Sequence, residues 1–199
     1  FERVLDSHHK LAKVIRDPQQ NYFDVDSFVD FIIIQEIFKN VDGFRRSVYF
    51  YKSNTGKIHM GPIWDFNLAM GNLNFYGMQE TLGWIHKKTY RFLKPAFWFT
   101  SLLRDQRFKG TFVRRYVNLR RSGNILSSES LFANIDALAD ELKPAIKRNQ
   151  RRWHDTESSF QYYYMNTSPK GRSHKEHIKI LKNWLLQRLR WMDQHIKEV

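Results

Sequence analysis

The sequence predicts a mainly helical domain that carries one small β-hairpin. Three observations point to it. Residues 27–39 are apolar on almost every face, which marks a helix buried at the centre of a fold. Between residues 47 and 63 the apolar pattern changes to a period of two, then changes back. After residue 95, four stretches look helical, the longest with apolar residues at three- and four-residue steps. The chain has 199 residues, 42% hydrophobic and 16% aromatic, so one domain over 1–199 with a real core is expected.

Each element follows from local signals. Residues 1–16 read as a short amphipathic helix that stops at Asp17-Pro18, because the residue before proline avoids helical geometry. Asp26 is the expected N-cap of the buried helix at Ser27 to Lys39. Ser47 to Tyr51 and Lys57 to Ile63 flank the turn residues Ser53-Asn54-Thr55-Gly56, which predicts a hairpin. Residues 71–95 read as a long loop. A short helix is expected at Pro95 to Leu103, and Asp105 caps another that ends near Arg121 before Ser122-Gly123. Ser127 or Ser128 opens a third, with Leu131, Ile135, Leu138 and Leu142 on one stripe. Residues 154–172 read as a second loop. The last helix, Ser173 to Lys197, repeats Ile178, Leu181, Leu185, Leu189, Met192 and Ile196 as a core stripe.

Composition excludes several classes. The longest apolar runs are only a few residues, such as Phe31 to Ile34, so no transmembrane helix is predicted. The absence of cysteine excludes disulfides, thiolate nucleophiles and cysteine-bound zinc. Phe1 in first place, with no signal segment after it, suggests a fragment or a processed chain. The net charge is +13, and the excess is concentrated in the second half. Arg104 to Arg121 holds seven basic residues and one acid, and Lys143 to Arg152 holds five and none. Such a surface favours polyanions or acidic partners, or is simply a solvated helix face; these bases are expected to lie on exposed faces.

The informative segment runs from Lys39 to Asn72. It places Asp42 just before the hairpin and Asp65 just after it. A hairpin returns to where it began, so its flanking residues come close together. Two carboxylates so placed suit Mg²⁺, a hard cation that prefers oxygen ligands. The alternative makes Asp42 a turn residue before Gly43 and Asp65 an N-cap. Phosphoryl transfer offers a template: protein kinases place one aspartate in a catalytic loop and a metal-binding Asp-Phe-Gly after a short hairpin. Asp65-Phe66-Asn67 stands where that triplet would, and Asn67 has an oxygen for a metal. The kinase metal asparagine would fall at Ser47, a poorer ligand.

The segment resembles the CotH family of spore-coat and surface-protein kinases. The matching residues include Lys39, Asn40, Asp42, Gly43, Arg45, Ser47, Lys57, Met60 to Pro62, Trp64 to Asn67, Ala69, Gly71 and Asn72. Upstream the resemblance takes in Asp24 to Phe28, and downstream it reaches Trp191-Met192. It implies an atypical protein kinase that uses ATP and Mg²⁺ to phosphorylate coat or surface proteins at the bacterial cell surface, outside the cell or in the spore coat. Asp42 would be the catalytic aspartate, and Asp65 with Asn67 the metal ligands. Asn40, Arg45, Ser47 and Asn72 would support them. The ATP-gripping lobe of a kinase precedes its catalytic loop, and the 41 residues before Asp42 read as helices. The chain is therefore expected to resemble a kinase C-terminal lobe alone.

Two other functions compete. One is a non-catalytic surface or coat protein that keeps the scaffold for binding. The other is a basic nucleic-acid-binding module, which charge alone supports. His174 and His177 lie three apart on the last helix, and a solvated helix end explains them better than a metal.

Overall fold

Helix α1 (Val25–Phe38) is the pivot of the structure, a computed structural model that describes residues 22–46, 48–73, 77–88, 95–153 and 173–199. The expected helix at 1–16 and loop at 154–172 lie outside those residues. Phe28, Val29, Phe31, Ile32, Ile33 and Ile37 of α1 are all almost wholly buried. Each such side chain stabilises the fold by about 1.5–3 kcal/mol, which fixes α1 more firmly than any surface element.

The cap of α1 is Asp24 rather than Asp26. Asp24 Oδ1 accepts the Ser27 N–H at 2.8 Å. Residues 22–24 run beside the second hairpin strand, with Ile58 N–H donating to Tyr22 O and Asp24 N–H to Ile58 O. That pairing keeps the chain extended until Val25. Asp26 then falls in the first turn, where its charge suits the positive end of the helix.

The hairpin joins β1 (Phe50–Lys52) to β2 (Ile58–Met60), antiparallel, with Phe50 opposite Met60 and Lys52 opposite Ile58. It is shorter than the sequence suggests. Pro62 has no N–H to extend the ladder, and the chain beyond pairs through rings instead, Tyr49 against Trp64 at 5.4 Å. Phe50 packs on Phe28 and Trp98, at 5.8 and 5.5 Å, and so ties the hairpin to α1 and to α2 (Phe97–Arg104).

Asp105 caps α3 (Gln106–Arg120) as expected, accepting from the Arg107 and Phe108 N–H groups. Helix α4 (Ser128–Trp153) runs through Pro144. Its Leu131 and Ile135 meet the core, but Leu138 and Leu142 are 58% and 49% exposed, so the predicted stripe outruns the core it packs on. Helix α5 (His174–His195) opens with a Ser173–Glu176 capping box and buries Leu185, Leu189 and Met192. Ile178 and Leu181, the outer part of the expected stripe, are half-buried beside α4.

Most of the bases around α3 lie on the surface as expected, but the Arg120 side chain is only 13% exposed. Arg114, Arg115 and Arg121 are exposed, Arg115 making a two-pronged pair with Asp30 at 2.8 Å. Arg120 pairs with Asp193 in the same way. Among the described residues of the second half, Arg188 is completely buried.

Candidate active site

Two acidic segments dock on the C-terminal end of α1. The first leaves the helix through Lys39, a non-glycine residue in left-handed geometry at φ 47°, whose N–H closes on the Gln35 and Glu36 carbonyls. A single turn of 3₁₀ helix, Asp42–Phe44, follows. Asp42 Oδ1 accepts from Arg45 Nη2 at 3.1 Å, and the Asp42 carbonyl accepts the Arg45 and Arg46 N–H groups. One carboxylate oxygen is thus held while the side chain stays about 23% exposed. Phe44 anchors the turn from below, stacked edge-on against Phe99 at 4.8 Å.

The second segment, 65–73, returns to the same helix end. Asp65 is exposed and takes φ 61°, which turns the chain sharply after the hairpin. Phe66 meets Phe38 edge to face at 5.9 Å, and the Met70 N–H donates to Phe38 O at 2.7 Å. Val41, the neighbour of Asp42, shares a small apolar cluster with Leu73 and Met78, against which Leu68 packs. Asn72 Nδ2 donates to Asn67 O at 2.7 Å and closes the turn that carries Asn67. Asp42 and the Asp65–Asn67 triplet therefore sit on segments pinned to each other and to Phe38.

Gly71 makes the second docking possible. It has φ 78°, and an added Cβ would lie 2.6 Å from the Trp184 indole nitrogen, which donates to Gln79 O. Gly71→Ala is expected to destabilise the chain by about 1–3 kcal/mol and to displace the Asn67 turn. Urea unfolding checks it, and an unchanged midpoint would contradict the packing described.

Beneath the site lies a buried polar network. Glu36 is fully buried, and its carboxylate accepts the Ile85 and His86 N–H groups at 3.0 Å, His86 Nδ1 at 2.7 Å and Arg188 Nη2 at 3.1 Å. Arg188 also donates to the carbonyls of Glu36, Thr81 and Gly83. Lys39 Nζ donates to the carbonyls of Glu80 and Leu82. The network straps residues 80–86 across the end of α1, so the turn bearing Asp42 rests on a fixed base. Burial raises the Glu36 pKa, but the His86 hydrogen bond, with the charges of His86 and Arg188, holds it below the ordinary carboxylate range.

Burial, aided by the Arg188 charge, lowers the Lys39 pKa from 10.5 to about 7. Between those values the unfolded chain binds more protons than the folded one, so Lys39 makes stability rise with pH above about 7. From pH 7 to 9 wild type is expected to gain about 2 kcal/mol relative to Lys39→Met, read by urea unfolding. Parallel shifts in the two proteins would contradict this.

Residues 7–192 match the family described as CotH kinase protein. The chain belongs to the CotH kinase family. No curated protein and no solved structure matches it. In this CotH chain, Asp42, Arg45, Asp65, Asn67 and Asn72 lie on the two docked segments, and Ser47 lies outside the described residues. Asn40 is completely buried under the Asp42 turn, its amide without a hydrogen-bond partner among the described residues. No group of three His, Asp or Glu that could hold a metal occurs among the described residues, His174 and His177 included. Together, Asp42, Asp65 and Asn67 would supply two carboxylates and an amide oxygen. Mg²⁺ commonly takes one or two carboxylates and completes its shell with water and phosphate oxygens, so this donor set fits it. Sequence reasoning gave no role to Glu36, His86 and Arg188. A carboxylate at Glu36, set between Ile34 and Ile37, is the signal that a buried partner exists.

Proposed function

We propose that this CotH chain is the catalytic, C-terminal-lobe-like part of an atypical protein kinase, which moves the terminal phosphoryl group of ATP to a side-chain hydroxyl of a coat or surface protein. The observation that carries the reading is the docking of the Asp42 and Asp65–Asn67 segments on the same end of α1, on either side of the hairpin. Asp42 orients the acceptor hydroxyl and takes its proton on the oxygen that Arg45 does not hold. Asp65 and Asn67 would hold Mg²⁺, which when bound would offset the charge on the phosphoryl oxygens. Asn72 fixes the Asn67 turn, and the Asn40 carbonyl accepts the Gly43 N–H within the Asp42 turn. Ser47 completes the supporting set by its place in the sequence. Family membership supports a place in the spore coat or at the bacterial cell surface, and no helix among the described residues is long and apolar enough to cross a membrane.

Carboxylates on α1 and α5 already engage Arg115 and Arg120, which weakens the case for a nucleic-acid surface on α3. The test is transfer of label from γ-labelled ATP by the whole protein, with Mg²⁺ and a coat or surface protein of the same cell as acceptor. Label is expected in the acceptor, and chelating the metal is expected to stop it. A folded, nucleotide-supplied protein that transfers nothing to any hydroxyl would favour a non-catalytic scaffold instead.

A further inference from the structure

A cleft of 540 Å³ opens beside the 3₁₀ turn Ile85–Lys87, between α2, the start of α3 and the final turn Ile196–Glu198. It plays no part in the proposed transfer. His86, Lys87, Arg104, Gln106 and Lys109 line it, with Glu198 as its acid. We propose that this cleft binds a phosphate-class dianion, either inorganic phosphate or a phosphomonoester on a peptide side chain.

Three features support it. Lys87, Arg104 and Lys109 line one concavity, where Lys87 Nζ donates to the Glu198 carbonyl, and neither Arg104 nor Lys109 forms an ion pair among the described residues. His86 also lines the cleft; its Nδ1 faces Glu36, and its Nε2 is buried without a hydrogen-bond partner among the described residues. Burial and then the Lys109 charge push the Lys87 ammonium below its ordinary pKa, so the two lysines repel across the cleft. A doubly charged anion relieves that repulsion, and the Arg104 fork suits two oxygens of one phosphate. With Glu198 in the lining, the three cations leave an excess of two positive charges, which a dianion matches and a single carboxylate does not. A nucleic-acid strand needs an extended basic track with stacking rings, and no Phe, Tyr or Trp lines this cleft. The proposal stands independently of the Asp42 site.

The experiment is equilibrium titration of the whole protein at pH 7 with inorganic phosphate, with a phosphoserine peptide and with the same peptide unphosphorylated. Wild type is expected to bind at least one phosphate form, and the unphosphorylated peptide not at all. Tighter binding of the phosphopeptide identifies the peptide source, and equal binding identifies free phosphate. Arg104→Gln with Lys109→Gln is expected to weaken binding by about tenfold or more, since two charge-assisted contacts are lost. Lys109→Gln alone, at a half-exposed site without an ion pair, gives a weaker loss and a second reading should the double variant misfold. Arg148→Gln with Arg151→Gln, on the exposed face of α4, is expected to bind as wild type does. No binding by wild type at millimolar phosphate would overturn the proposal. So would equal losses in the cleft and α4 variants, which would mean diffuse charge alone.

Discussion

Asp42→Asn is expected to slow phosphoryl transfer by about 10²–10⁴-fold while leaving nucleotide affinity nearly unchanged, because a positioned base acts on the proton and not on the phosphates. Asp65→Asn is expected to do more, removing metal-dependent transfer altogether. Neither change deletes apolar burial, since Asp65 is exposed and Asp42 partly so. Both variants are therefore expected to unfold at the wild-type urea concentration. Single-turnover rates separate the two effects: a rate defect with intact binding for Asp42→Asn, and a binding defect that excess Mg²⁺ does not repair for Asp65→Asn. A full rate from either variant would remove that residue from the mechanism.

Arg188→Met is expected to cost about 3–5 kcal/mol, the range for breaking a buried ion pair by removing one partner. The guanidinium lies wholly inside, its pKa lowered to about 10 by burial, and packs on the Trp191 ring at 4.9 Å. Without it, the Glu36 carboxylate loses its cation and the carbonyls of Glu36, Thr81 and Gly83 lose donors. That is a large share of the 5–15 kcal/mol typical of a domain. Arg188→Lys is expected to recover only part, since an ammonium cannot span those acceptors as a fork does. The Glu36 contribution is present above the ordinary carboxylate pKa of 4.5 and is lost as pH falls through its lower folded value. Urea unfolding at neutral pH decides the matter. A loss below about 1 kcal/mol would show that the network does not hold the strap.

What was legible in the sequence depended on short range. The Asp105 and Ser173 caps, the hairpin turn and the buried face of α1 are written within a few residues, and the structure has them. The cap of α1 lies two residues before the one its local sequence predicts, because extension at 22–24 depends on pairing with Ile58, far along the chain. The spacing of Asp42 and Asp65 around a hairpin pointed to one locality. The contacts that pin their segments, Phe66 on Phe38 and Val41 with Leu68, follow only once α1 has an exposed end to receive them. Glu36 and Arg188 stand 152 positions apart, so no local pattern links them. Leu138 and Leu142 show the opposite failure, a clean periodic stripe on a helix longer than the core beneath it.

The most direct test of the central claim is metal binding at the two acidic segments, followed in the whole protein with Mn²⁺ in place of Mg²⁺ and ATP present. Electron paramagnetic resonance counts the bound ion. Wild type is expected to bind Mn²⁺, Asp65→Asn to lose most of it, and Asp42→Asn to keep it with transfer impaired. Mn²⁺ bound equally well by Asp65→Asn would place the metal elsewhere and contradict the account.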